Sequence, residues 1–408
     1  MNNLSGDDTK RLLFLYISSL PWEFPLDYLQ RYAKQMGCYG PVIYYCPHVK
    51  LITYRDFYDR PNTRKELFEA TVSLFQNFTI FLPFAILPFS RLKLFDTINS
   101  HFASFMLKVL LFFKSRRKKI YLYTTIPLDR DFMQAICYDH LIYDCMEYPA
   151  DFRDKKKDII IWDAHKKTCS NSDYVFVNST MGMKVCNPYA RKVFKVPAGF
   201  NLSGFFRKSQ LDDDLSKKFQ NIKKPRIGFV GYTFVRMDAE LLLSLVARCA
   251  DMSFIFIGPE KTRFLDYSYQ RKDSIKKFYR NWETLVKQSN VFVIGELSKE
   301  RIAQCLQLFD VCIIPYKLIE PAAFYSNTIK AYEYLAAGKP VVSTPLEPLK
   351  DLKDLIYFAK SPEEFENKIR KALTFANSES DVERRRNVAL FHDVANKAKI
   401  VVNTLTQR

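Results

Sequence analysis

The chain has 408 residues, 48% of them hydrophobic and 26% charged, and a net charge of +18 from 62 basic and 44 acidic side chains. The length exceeds what one core usually supports, so two domains are expected, and the composition excludes a disordered chain. The basic excess favours an anionic partner: a phosphorylated metabolite, nucleic acid or an anionic membrane face.

The first apolar run, "RLLFLYISS", follows Lys10-Arg11 but lacks a small-residue cleavage site, so it reads as a strand rather than a signal peptide. Further strands are predicted at "PVIYYC", "FTIFLPF", "KIYLYTT", "HLIYDC", "YVFVNS" and "VFKVPAG". After residue 225 come "PRIGFVG", "SFIFIGP", "VFVIGE", "VCIIPY" and "KPVVST". The segments between them are long enough for crossover helices, which gives an α/β fold with two doubly wound parallel sheets. The polar stretch 205–225 reads as a linker between a domain over 1–204 and a second over 226–388. A helix over 389–408 is able to cross back to the first domain.

The most apolar window, 72–89, is interrupted by Gln76, Asn77, Pro83 and Pro88, so it reads as a buried strand with flanking turns. The window 96–119 is an apolar helix closed by Arg116-Arg117-Lys118-Lys119. It suits either a helix packed on the sheet or a membrane-facing edge, and one helix can be both.

Nine Cys, an odd count without a CxxC pair, argue against a zinc site or a disulfide framework, and a reducing cytosol fits. The five His show no metal spacing, His165 reads as a helix-surface residue, and no metal site is expected. "DDD" at 212–214 resembles a metal motif but lies in the polar bridge, away from any strand end, so it reads as solvated linker. Trp22 suits either a core gap or an acceptor sugar.

Chemistry is best concentrated in "NTIKAYEYLAAGKPVVST", residues 327–344. Asn327 is placed to cap a helix begun by Thr328, Gly338 to end it, and Pro340 to block its continuation. The helix N-terminus then faces the carboxyl end of "VCIIPY", where open α/β sheets bind ligands and where N–H groups attract anions. Lys330 adds a positive charge in the first turn. Glu333, one turn further, would be repelled by a phosphate and suits a pair of sugar hydroxyls. As a pair alone, Lys330 and Glu333 are equally consistent with surface residues of an amphipathic helix.

The pattern Lys330-x-x-Glu333-Tyr-Leu-Ala-Ala-Gly-Lys-Pro-Val-Val resembles the nucleotide-sugar motif of retaining glycosyltransferases of family 4. "GFVGYTFVRMD", "FIFIGP", "NVFVIGEL" and "FDVCIIPY" follow in that family's order. "YDCMEY", "SDYVFVNST" and "VFKVPAGF" resemble a bacterial branch that builds surface polysaccharides. The resemblance implies a GT-B fold of two facing Rossmann-like domains, the N-terminal one for the acceptor and the C-terminal one for a nucleotide sugar, with no metal cofactor. It implies Arg236 and Lys330 as cations on the diphosphate and Glu333 on the ribose. Gly231, Gly295, Glu296, Asn327 and Thr328 fall in the implied donor site. The first Glu of the family's motif is replaced by Tyr325, with Glu320 nearby. The family's catalytic His has no match, and Asp144 and Glu147 are the nearest polar groups. "ISSLPWEF", with Trp22 and Glu23, stands where the family has a glycine-rich loop. The implied partners are a nucleotide sugar, a glycan or lipid-linked acceptor and an anionic membrane surface, with no nucleic acid. The implied location is the cytoplasmic face of the plasma membrane. Two rivals are an epimerase of the same fold and a non-catalytic basic binding module.

Overall fold

The computed structural model describes residues 11–18, 22, 28–46, 73, 76–83, 93–128, 130–146, 155–206, 210–231, 236–258, 272–318, 328–375 and 378–407. They fall into two units, residues 1–199 with 394–408, and residues 200–393. Glu23, Glu147, Glu320, Tyr325 and Asn327 lie outside the described residues.

In the first unit seven parallel strands are ordered β3-β2-β1-β4-β5-β6-β7. They are β1 (Leu12–Ile17), β2 (Val42–Tyr45), β3 (Phe78–Phe81), β4 (Lys119–Thr124), β5 (His140–Cys145), β6 (Tyr174–Val177) and β7 (Val193–Lys195). Among the described residues of this stretch the helices are α1 (Tyr28–Met36), α2 (Lys93–Lys114), α3 (Arg130–Ala135), α4 (Lys155–Asn171) and α5 (Thr180–Cys186). The first apolar run is thus a central, fully buried strand, and the 72–89 window supplies β3.

Strand alternation decides which helix each residue meets, because successive side chains leave opposite faces. Phe14 and Tyr16 of β1 pack with Tyr32 and Met36 of α1. Leu13, Leu15 and Ile17 pack with Leu107 and Leu111 of α2 on the other face. Trp22 packs against Tyr44 and Phe78, so it fills the core.

The second unit opens with α6 (Asp213–Phe219) and holds β8 (Arg226–Val230), α7 (Ala239–Arg248), β9 (Ser253–Ile257), α8 (Lys272–Leu285) and β10 (Val291–Gly295). Then follow α9 (Lys299–Leu308), β11 (Val311–Ile314), α10 (Ile329–Ala336), β12 (Val341–Ser343), β13 (Ile356–Phe358), α11 (Pro362–Phe375) and α12 (Glu379–Phe391). Its six parallel strands are ordered β10-β9-β8-β11-β12-β13. The stretch expected as a linker is packed into this unit: Asp212 caps α6 by accepting from Leu215 N at 2.8 Å, and Leu215, Phe219 and Ile222 are buried.

The chain then returns to the first unit through α13 (Val394–Thr406), which packs against α1. Its Val394, Ala398, Val401 and Val402 join the cluster around Phe14 and Tyr16. Among the described residues no helix is long and apolar enough to cross a membrane.

Candidate functional site

In a doubly wound sheet, ligands gather outside the strands' carboxyl ends where the strand order reverses. In the second unit that point lies between β8 and β11. The chain leaves β8 through Gly231, whose φ of +133° disfavours any side chain. A Cβ there would lie 2.1 Å from Lys330 Cε, so the absent side chain is the room that Lys330 occupies.

Lys330 and Tyr334 share one face of α10. The Tyr334 hydroxyl accepts from Val230 N at 2.8 Å and donates to Val230 O at 3.3 Å, fixing α10 to the end of β8. The Lys330 ammonium lies 5.8 Å from the ring centroids of both Phe229 and Tyr316, a cation–π arrangement that holds it at the switch point. Met237 forms a β-bridge with Tyr316, and Arg236 O accepts from Lys317 N at 2.7 Å. Arg236, with an exposed side chain, and Lys330 therefore both border Tyr316.

Glu333 stands one turn further along α10. Its side chain is only 12% exposed and lies 3.6 Å from Lys299 Nζ, which also donates to Asn201 O at 3.0 Å. Burial raises the Glu333 carboxyl above the usual range, against the pull of Lys299 and Lys330. A nearly buried carboxylate between two cations is unlike the solvent-facing Lys330–Glu333 pair of an ordinary amphipathic helix.

The cap residue differs from the expectation. Thr328, not Asn327, takes the cap position, and the helix begins at Ile329. The other end follows the sequence: Gly338 has φ +76°, Lys339 N donates to Tyr334 O, and Gly338 N donates to Leu335 O. Buried Arg385 donates to the Gly338 carbonyl at 2.9 Å. Gly295, with φ +85°, ends β10 and accepts from Gly258 N at 2.9 Å, and Glu296 beside it is exposed. These two stand on the edge strand, with β9 between them and β8.

Asp144 is placed differently from a catalytic group. It is fully buried, and its Oδ2 accepts from Tyr123 OH and Lys397 Nζ, each at 2.6 Å. It is an internal ion pair joining β5 to α13. His165 is likewise not on a helix surface but completely buried beside Tyr143 and Trp162. The Asp212–Asp214 stretch is tied up locally, Arg301 reaching Asp212 at 2.8 Å and Asp214 at 2.5 Å.

Sequence reasoning missed Lys299 and Lys397. Each sits far along the chain from its carboxylate, and only the fold brings the pairs together. The "S-K-E" at 298–300 signals a capped helix start, with Ser298 accepting from Arg301 N, but carries no sign of Glu333.

Residues 224–374 match the family model described as Glycosyl transferases group 1. A putative teichuronic acid biosynthesis glycosyltransferase, TuaH, of Bacillus subtilis is 27% identical over 275 residues, a match covering 63% of this chain and 64% of that protein, just under two thirds of its length. Among solved structures, sucrose-phosphate synthase from Thermosynechococcus elongatus aligns with a TM-score of 0.64 at 14% identity, covering 97% of this chain and 99% of that one. Anabaena Alr3699/HepE in complex with UDP aligns with a TM-score of 0.63 at 15% identity, with the same coverage. At such identities the structural likeness speaks for the fold alone: two Rossmann-like parallel-sheet domains of GT-B type.

Proposed function

We propose that this chain is a glycosyltransferase that moves a sugar from a nucleoside-diphosphate sugar to a hydroxyl acceptor. The observation that carries the proposal is the convergence at the second unit's switch point. Gly231 clears the space for Lys330, the Arg236 backbone is held to Lys317 next to the Tyr316 ring that Lys330 faces, and the carboxylate of Glu333 sits one helical turn away. Breaking a sugar–phosphate bond leaves extra negative charge on the diphosphate. Lys330, Arg236 and the first N–H groups of α10 are the counter-charge, and charge stabilisation that grows toward the transition state raises turnover. Glu333 lies far enough along α10 to accept from ribose hydroxyls instead of facing phosphate.

The match to the group 1 family model over this unit supports the donor side, and the UDP bound to the Anabaena protein fits a uridine nucleotide. The teichuronic acid relative supports an acceptor in envelope polysaccharide synthesis; a lipid-linked acceptor met at the cytoplasmic membrane face rests on the sequence resemblance. Retention of configuration and membership of family 4 rest on the sequence resemblance, as does a reaction without a metal cofactor.

The test is thermal unfolding of the full chain across nucleoside diphosphates. A ligand at 100 times its dissociation constant should stabilise by about 2.7 kcal/mol. Lys330→Ala and Arg236→Ala should each lose most of that shift, and in transfer assays each should lower kcat by about 10²–10³-fold. If no nucleoside diphosphate raises the melting temperature of the wild-type chain, the proposal fails. If both variants bind and turn over like wild type, these cations are surface residues. Turnover of donor without acceptor would point to an epimerase.

A further inference from the structure

The first unit holds a second concentration of reactive groups that the proposed transfer leaves unused. Cys145 ends β5, His165 and Cys169 lie four residues apart on α4, and Cys186 ends α5. Strand alternation sends Asp144 toward α13 and its neighbour Cys145 to the opposite face, where α4 and α5 pack. All four side chains are buried, and none of the three cysteines is in a disulfide.

The donor atoms of His165, Cys169 and Cys186 lie within 4.8 Å of one another. Cys169 Sγ is 3.7 Å from His165 Nε2. Zinc bonds of about 2.3 Å to sulfur and about 2.0–2.1 Å to nitrogen set the tetrahedral S···N edge at about 3.6 Å. That pair already stands at the required separation. His165 Nδ1 is 3.1 Å from the Tyr143 hydroxyl, and Trp162 stacks on the ring at 5.0 Å. Ligating imidazoles have their other nitrogen held in this way, which fixes the ring and leaves one nitrogen for the metal. Here the remaining nitrogen is Nε2; Cys169 Sγ is also 3.9 Å from Nδ1, so metal binding requires the imidazole to turn Nε2 toward the sulfur. The Cys145 thiol is hydrogen-bonded to Cys186 and His165, so it stands beside two of these three donors.

We propose that His165, Cys169, Cys186 and Cys145 form a binding site for Zn²⁺. Buried cysteines often serve only as small apolar side chains. Apolar packing gives no reason for three thiols to converge on one imidazole whose ring is oriented by a stacked indole and a hydroxyl. Cys169, Cys186 and Cys145 as thiolates with His165 as a neutral imidazole make the Cys₃His donor set of structural zinc sites, with one net negative charge. Each thiol that ligates gives its proton to solvent, so affinity weakens as pH falls.

The test uses the full chain purified under reducing conditions without chelator. Zn²⁺ content is measured by mass spectrometry, Zn²⁺ and Co²⁺ are titrated into metal-free protein, and unfolding is followed with and without Zn²⁺. The expected results are one Zn²⁺ per chain, a rise in melting temperature with Zn²⁺, and thiolate-to-cobalt charge-transfer absorption with the visible bands of tetrahedral Co²⁺. Cys169→Ser and Cys186→Ser should abolish the absorption, while Cys38→Ser, at an exposed position outside the cluster, should leave it intact. Tyr143→Phe keeps the ring and removes only the group that orients His165, so it should weaken Zn²⁺ by about 10–100-fold. That variant and the wild-type titrations decide the matter even where a cysteine variant fails to fold. Wild-type protein that shows no charge-transfer band and no Zn²⁺-dependent stabilisation overturns the proposal, as do Cys169→Ser and Cys186→Ser proteins that bind like wild type.

Discussion

At the carboxyl end of β8 a glycine and a lysine share a few ångströms, and the arrangement depends on both. A side chain at position 231 would collide with the Lys330 stem and meet an unfavourable φ. The titration of Glu333 offers a sharper handle. Burial raises its carboxyl, so its contribution to the stability of the ligand-free protein is present below the unfolded value and lost as pH rises through the folded one. Nucleotide affinity should run the other way, because the ionised carboxylate accepts ribose hydroxyls. We expect affinity for nucleoside diphosphate to fall as pH drops through the upper carboxylate range, and Glu333→Gln to bind more weakly at neutral pH without that step. Calorimetric titration across pH checks this; a Glu333→Gln curve parallel to wild type would remove Glu333 from the ribose. Lys330, Glu333 and Gly338 were legible because a helix start, a helix stop and a charge pair are local patterns. Lys299 was not, since its contact with Glu333 joins two helices separated in the chain by β11.

Among the helices, α2 has two unlike faces. Ala103, Leu107 and Leu111 are buried against the sheet, whereas Phe105, Phe112 and Phe113 are 60%, 70% and 64% exposed. Ile98 and Val109 extend that outer stripe, and the helix gives way to exposed Arg116, Arg117 and Lys119. Both readings of the 96–119 window thus find residues to support them. A stripe of exposed phenylalanines ending in cations suits the boundary of an anionic bilayer. Each cation near such a surface contributes about 1 kcal/mol, and salt screens it. Co-sedimentation should therefore require vesicles with anionic lipid and weaken as salt rises. Equal binding to neutral vesicles, or none to either, would leave α2 without this role. The twelve strands read from the sequence all occur, because apolar runs between turn residues are strong local signals. The missed one, β13, has only three residues and owes its place to pairing with β12.

At the scale of the whole molecule, α13 completes the first unit from the far end of the second. Lys397 is 1% exposed, and burial lowers its ammonium while Asp144 opposes the shift. Removing one partner of a buried pair costs about 3–5 kcal/mol because the other charge is stranded. Lys397→Met should speed hydrogen exchange in β1, β4 and β5 and leave β8 and β11 unchanged. Adding Asp144→Asn should restore most of the loss. Equal loosening of both units, or none, would show that the pair does not serve the first unit specifically. The return of a C-terminal helix was open to sequence reading, but its anchor was not, since a lysine 253 residues from its aspartate leaves no periodic trace.

The second unit begins and ends at one place: Phe200 forms a parallel bridge with Asp393, and Leu202 N donates to the Asp393 carboxylate at 3.1 Å. Seen as a product of the ribosome, the first unit is a sentence interrupted by a long parenthesis. Its sheet emerges early, yet the helix that covers Tyr32 and Met36 and neutralises Asp144 is made only after residues 200–393. At about 5–20 residues per second that gap lasts on the order of 10–40 s. For that time the nascent first half carries an uncovered aromatic face and an unmatched acid, which makes it a client for a chaperone, while the inserted half has everything it needs to fold at once.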